Sequence, residues 1–238
     1  MLRAAPDGHA RATSQLMLGE GFEALEIAGE WVWGQCTHDG YVGYLPVADF
    51  GPPRPATHRV TAVTAPIFAT PDIKAPVIGA LPIGARVQAH PEGDFLAVEQ
   101  GFLHQRHLRM LGEIVADPVA VAERLIGQPY LWGGRGAGGI DCSGLVQLAL
   151  GCAGVAAPRD SDLQRDTLGE EIPEEARIRR GDLIFFPGHV GLMVDEERLI
   201  HATAHWMAVT VEPLGDVVSR LAPAHPQPVL ARKRLVLS

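Results

Sequence analysis

A run of glycines that ends in a reactive side chain constrains this chain more than any other stretch. Gly134-Arg135-Gly136-Ala137-Gly138-Gly139-Ile140-Asp141-Cys142-Ser143-Gly144-Leu145 sets an acid and a cysteine directly before an apolar pattern. Leu145, Val146, Leu148, Ala149 and Cys152 recur at helical spacing. The spacing predicts a helix with Asp141 as N-cap and Cys142 in its first turn. A thiol there meets unpaired backbone N–H groups and the positive end of the helix dipole, which favour thiolate. The glycines leave room for a substrate backbone to approach the sulfur. A lone cysteine at a helix start is ordinarily a small buried hydrophobe, so the chemistry needs a partner.

A cysteine nucleophile requires a base, usually a histidine that the fold brings close. Residues 181–186, 188–194 and 199–202 read as three short strands separated by turn signals. His189 and His201 then fall side by side on adjacent strands.

Six motifs in order, Tyr130-Leu131-Trp132-Gly133-Gly134, Asp141-Cys142-Ser143-Gly144-Leu145, Pro158-Arg159-Asp160-Ser161, Gly181-Asp182-Leu183, Gly188-His189-Val190-Gly191 and Ile200-His201-Ala202, run through residues 113–210. This series resembles the NlpC-type cysteine peptidases, papain-like enzymes that cut peptidoglycan peptides. The resemblance implies an α+β papain-like catalytic domain. Its implied catalytic residues are Cys142 as nucleophile, His189 as base, His201 orienting His189, and the Tyr130 hydroxyl as a second oxyanion donor beside the Cys142 backbone N–H. Relatives with paired SH3-like domains cut between γ-D-glutamate and an L-diamino acid, and some require a free N-terminal L-alanine. An ammonium in a closed pocket needs a carboxylate. Asp141 is the first candidate, with the plain N-cap as its other role, and Glu20 and Tyr41 resemble residues that close the same end. Ser143 and Ser161 are candidate donors to the peptide, or simple caps. The chemistry calls for no metal and no cofactor.

The preceding part of the chain has a different texture. Leu18-Gly19-Glu20-Gly21-Phe22, Gly29-Glu30-Trp31-Val32 and Gly43-Tyr44-Leu45-Pro46 are echoed by Ile83-Gly84-Ala85-Arg86-Val87, Gly93-Asp94-Phe95-Leu96 and Gly101-Phe102-Leu103-His104. Short alternating strands with glycine turns predict two small all-β barrels that resemble bacterial SH3-like domains. Gly51-Pro52-Pro53-Arg54-Pro55 is a stiff linker between them. The expected domains are residues 1–53, 54–111 and 112–238. In the last, Asp117-Pro118 opens a helix whose face is Val119, Ala122, Leu125 and Ile126, ended by Gly127. Glu170, Glu171, Glu174 and Glu175 read as solvated surface. Residues 229–237 read as a closing strand, with Arg232-Lys233-Arg234 as surface charge.

Composition narrows the partners. A net charge of −8 argues against nucleic acid held through phosphates. No run approaches the length of a membrane span, and the first fifteen residues contain no apolar signal-peptide core. Cys36, Cys142 and Cys152 form no even framework, which fits a reducing compartment. The expectation is a cytoplasmic enzyme acting on a recycled wall peptide, L-Ala-γ-D-Glu-diamino acid. An N-acetylmuramoyl-L-alanine amidase, an acyltransferase on the same fold, and a wall-binding module with a dormant site are the alternatives. The glycine run also fits G-x-G-x-x-G, but no full strand precedes it, which disfavours a dinucleotide. His104 and His107 read as surface residues without a third ligand. His205-Trp206 follows His201 closely and has no assigned role.

Overall fold

The computed structural model describes residues 1–136 and 138–235. The chain divides into two compact units, Met1–Glu113 and Ile114–Ser238.

The N-terminal unit is built from short antiparallel strands. Its first sheet runs Ala12–Ser14, Leu2–Arg3, Val42–Pro46, Trp31–Cys36, Phe22–Ala28. Burial alternates strictly along Trp31–Cys36, as a half-buried strand requires. Val32 and Cys36 join Leu2, Phe22 and Leu45 in a small core. Residues 58–110 form separate five- and three-stranded sheets around a second core that includes Val60, Ala65, Ile67, Leu103 and Leu108. The sequence repeat has a structural counterpart. Gly29 and Gly93 occupy the tight hairpin turns at corresponding points, with φ of 64° and 62°, where an L side chain is strained.

In the C-terminal unit, helix α1 (Pro118–Glu123) starts as expected. The Asp117 carboxylate accepts from the Val119 N–H at 2.9 Å, and Pro118 takes the first helical position. It ends at Glu123, before the expected Gly127, and Ile126 is exposed instead of joining its apolar face. Helix α2 (Cys142–Cys152) differs more. One apolar face was expected, yet nearly every residue is buried, Ser143 and Gln147 included. Gln147 is satisfied by the Arg135 Nε donor at 2.5 Å and by the Ala157 carbonyl at 3.0 Å, so burial on all sides leaves no orphaned amide.

Helix α2 lies against the strands His189–Met193 and Arg198–Thr203 of a six-stranded sheet. Its order is Glu170–Glu171, Ala231–Arg234, Leu183–Phe186, His189–Met193, Arg198–Thr203, Ala208–Pro213. Leu183–Phe186 is buried at every position, the pattern of a strand covered on both faces. Helix α4 (Leu214–Leu221) contributes Val217 to a cluster with Ile184, Phe186, Met193 and Leu199. The acidic pair Glu170-Glu171 stays exposed, with Lys233 3.0 Å from Glu171. Arg234 is more than surface charge, because it donates to both oxygens of buried Asp182, at 2.8 and 2.6 Å. Of the expected closing strand, Ala231–Arg234 is formed, while residues 236 and 237 lie outside the described residues. Among the described residues, no helix is long and apolar enough to cross a membrane.

Leu145 on α2 is fully buried. Leu145→Ala should cost about 2–5 kcal/mol, the range for a buried leucine that leaves a cavity. Urea denaturation checks it, and a loss under about 1 kcal/mol would mean the site collapses around the smaller side chain.

Candidate active site

Within the glycine run, Arg135–Gly136 pairs antiparallel with Gly139–Ile140. No full strand precedes it, so the dinucleotide geometry is not built. Several glycines here are sterically required. Gly139 has a φ of 147°, and a Cβ there would sit 2.6 Å from the Leu131 Cβ. A Cβ on Gly144 would lie 2.4 Å from the Gly134 carbonyl oxygen. The loop therefore packs directly on the first turn of α2.

Asp141 joins these pieces. Its Oδ1 accepts from the Gly144 N–H at 2.8 Å, which caps α2, and its Oδ2 accepts from the Gly133 N–H at 2.8 Å. Arg159 adds a bidentate pair to the same carboxylate at 2.9 and 2.5 Å, and donates to the Ser143 Oγ at 2.8 Å. The Ser143 hydroxyl lies 3.4 Å from Asp141 Oδ1. An ionised carboxylate offers roughly four lone-pair sites, and these donors fill them. The capping role expected for Asp141 is thus formed, with an unforeseen counter-ion. Arg159 lies in the Pro158–Ser161 motif, whose spacing alone assigns it no role.

Cys142 is the first residue of α2 and is buried. Its sulfur accepts from the backbone N–H groups of Val190 and Ser143, which favour thiolate. Burial outweighs them, and with the nearby Asp141 carboxylate pushes the thiol up to about 11. Desolvation thus opposes the thiolate that the helix position favours. Tyr130 lies near the same sulfur. Burial, then Cys142 and Asp141, push its hydroxyl up to about 12, so it stays a donor at neutral pH.

His189 opens the strand next to the Arg198–Thr203 strand, and the two histidines meet. His189 Nε2 is 2.8 Å from His201 Nδ1, and His201 Nε2 is 2.7 Å from Glu212 Oε1. Arg220 donates to both Glu212 oxygens at 3.0 and 2.6 Å, and the Trp206 indole N–H lies 3.3 Å from Oε2. Burial, then His201 and Arg220, lower His189 to about 3 despite Glu212. Burial also lowers His201, against the pull of Glu212. For Glu212, burial would raise the carboxyl, but donors from Arg220, Trp206 and His201 prevail and hold it down to about 2.

The sequence reading missed Glu212 and Arg220. Thr210 is the cross-strand partner of His201, and Glu212 lies two residues on, on the same strand face. Counting pairs outward from the turn would have placed it diagonally beside His201. Trp206, flagged without a role, belongs to this group. Ser161 opens helix α3 (Ser161–Thr167). Glu20 and Tyr41 lie in the N-terminal unit. Glu20 accepts from the Met17 N–H at 2.9 Å, and its other oxygen is 3.7 Å from His38 Nε2. Tyr41 packs against the first barrel's core.

Comparison with known proteins finds two family models that each match part of the chain. Residues 127–220 match the NlpC/P60 family, and residues 2–50 match the bacterial dipeptidyl-peptidase SH3 domain. The chain is 39% identical over 98 residues to dipeptidyl-peptidase 6 of Lysinibacillus sphaericus, covering 41% of this chain and 36% of that protein. It is 25% identical over 237 residues to a γ-D-glutamyl-L-lysine dipeptidyl-peptidase of Bacillus cereus, covering 85% of this chain and 70% of that protein. A crystal structure of an NlpC/P60 family protein from Bacillus cereus superimposes with a TM-score of 0.79 at 21% identity, over 95% of this chain and 82% of that one. That likeness shows the fold. The chain spans about a third or less of the length of several curated relatives that it matches.

The lowered histidines fix the direction of a pH effect. Both bind protons less well folded than unfolded, so stability should fall as pH drops from 6.5 toward about 3, the value held by His189. Glu212, held at about 2 against an ordinary 4.5, adds a loss of the same sign below 4.5. Urea midpoints across this range should fall less steeply in His189→Ala than in the parent. Equal slopes would show that His189 titrates normally in the folded chain.

Proposed function

We propose that this chain, built from an NlpC/P60 domain and a bacterial SH3 domain, is a cysteine peptidase that hydrolyses the γ-D-glutamyl–L-diamino acid bond of peptidoglycan stem peptides. The observation that carries the reading is the His189–His201 contact between neighbouring strands, the first of which also donates a backbone N–H to Cys142.

The resting pair is a neutral thiol and a neutral imidazole. Attack then couples to proton transfer. The Cys142 S–H proton passes to His189 while sulfur bonds to the γ-carbonyl carbon. The oxyanion takes the Cys142 backbone N–H and the Tyr130 hydroxyl. Collapse breaks the C–N bond, and the departing amine takes the proton from His189. Water, deprotonated by His189, cleaves the thioester, releasing L-Ala-γ-D-Glu and restoring the thiol. No metal enters this sequence.

The requirement for a free L-alanine belongs to the same proposal. Its support is the match of residues 2–50 to a dipeptidyl-peptidase SH3 domain and the resemblance of Glu20 and Tyr41 to pocket-closing residues. Asp141 already serves as cap and Arg159 partner, and Glu20 already accepts from the Met17 N–H, so both stay candidates for the ammonium. Residues 54–111 form a second SH3-like domain in this reading, supported by the repeated turn glycine and a core of its own. The boundaries proposed are 1–53, 54–111 and 112–238.

Mass spectrometry of products from L-Ala-γ-D-Glu-diaminopimelate tests the bond. The expected products are L-Ala-γ-D-Glu and free diaminopimelate, and none should form with Cys142→Ala. Release of L-alanine alone would make the enzyme cut a different amide. N-acetylating the substrate should lower kcat/KM by roughly two to three decades, because a buried carboxylate would lose its cation at a cost of about 3–5 kcal/mol. Equal rates on both peptides would remove the free-amine requirement.

A further inference from the structure

We infer that Glu212, held by Arg220 and Trp206, is a positioning residue that fixes the direction of the hydrogen-bond ladder and so leaves the lone pair of His189 on Nδ1, the ring nitrogen that does not bond His201. The kinetic arm of the inference rests on the peptidase reading above; the ladder itself does not.

The argument follows donors and acceptors. An ionised carboxylate only accepts, so His201 Nε2, 2.7 Å from Glu212 Oε1, must carry a proton. A neutral imidazole has one N–H, which makes His201 Nδ1 an acceptor. The atom 2.8 Å from it is His189 Nε2, which must therefore donate. The remaining nitrogen of His189, Nδ1, is left bare. That is the form a base needs before it takes a thiol proton. Run in the opposite direction, the ladder would put a proton on Nδ1 and leave no base.

What surrounds Glu212 makes the direction hard to reverse. Arg220 forks onto both oxygens at 2.6 and 3.0 Å, and the Trp206 indole N–H lies 3.3 Å from Oε2. Each of these groups is donor-only, so a proton on Glu212 would meet another proton at either oxygen. Arg220 also balances the carboxylate charge. Glu212 then acts through the polarity of a hydrogen bond, more than as an uncompensated anion behind the histidines. All three residues come from one local segment: the turn before the Ala208–Pro213 strand, that strand, and α4 immediately after it.

A plain ion pair that ties α4 to the sheet edge would show the same contacts, so the test needs a readout that such a pair would not move. Long-range ¹H–¹⁵N correlation on histidine-labelled parent protein distinguishes bare from protonated ring nitrogens. The expected spectrum has Nε2–H and bare Nδ1 on both His189 and His201. A proton on Nδ1 of either neutral ring overturns the inference, and this measurement needs no variant to fold. Glu212→Gln can donate to His201 Nε2 and reverse the ladder. It should move the His189 proton toward Nδ1 and lower kcat by about 10²-fold or more, the scale of a tautomer-fixing acid in a serine protease triad. KM for L-Ala-γ-D-Glu-diaminopimelate should change by less than about threefold, as expected when only the chemical step suffers. Arg180→Ala breaks the ion pairs to Asp117 and Glu123 in the same unit and is a control that should lower stability without shifting either ring. Parent tautomers and parent rates in Glu212→Gln would overturn the inference. A parent enzyme that leaves the peptide uncut defeats the peptidase reading, while the nitrogen spectra still decide the ladder.

Discussion

The buried pair of Asp141 and Arg159 is the interaction on which the site depends. One carboxylate caps the helix that carries Cys142, anchors the glycine run through Gly133, and receives a guanidinium from a loop beyond the helix. Such a pair adds little net stability over apolar residues of the same size, but either half alone is strongly destabilising. Its value here is geometric. Three segments between residues 133 and 159 are held by hydrogen bonds around the first turn of α2. Ser143 is fixed by the same arginine.

Burial then sets the chemistry. The helix start and two backbone donors pull the thiol toward ionisation, and desolvation pulls harder in the other direction. The same effect keeps both histidines neutral. Desolvation therefore favours the thiol form of Cys142. The charges that remain, Glu212 with Arg220 and Asp141 with Arg159, are each paired.

Much of this was written plainly in the sequence. Asp141 at a cap position, Cys142 behind it, and two histidines on neighbouring short strands follow from local spacing alone, and the hairpin turns at Gly29 and Gly93 follow from the repeat. What was hidden depends on pairing between elements. Glu212 has no motif around it, and its meaning comes from the register of the His201 and Thr210 strands. Arg159 reads as one basic residue among 20 lysines and arginines until it is found almost fully buried. Ionisation was the least legible property, because it turns on solvent exclusion, which periodicity does not report. Arg234 was misjudged for a related reason, since its partner Asp182 is brought near only by the last strand.

The turn at Pro187-Gly188 has a consequence for how this sequence can change in length. Phe186 pairs with His189 directly across it, and Gly188 takes a φ of 65°. His189 opens this strand, and the N–H of the next residue, Val190, reaches the Cys142 sulfur. Adding or deleting a single residue here would shift the strand by one and exchange its two faces, turning the imidazole away and bringing a neighbour's side chain in. The solvated loop at 173–177 carries no such phase. Insertions and deletions in descendants of this sequence should therefore accumulate in that loop, while the distance from Phe186 to His189 stays fixed.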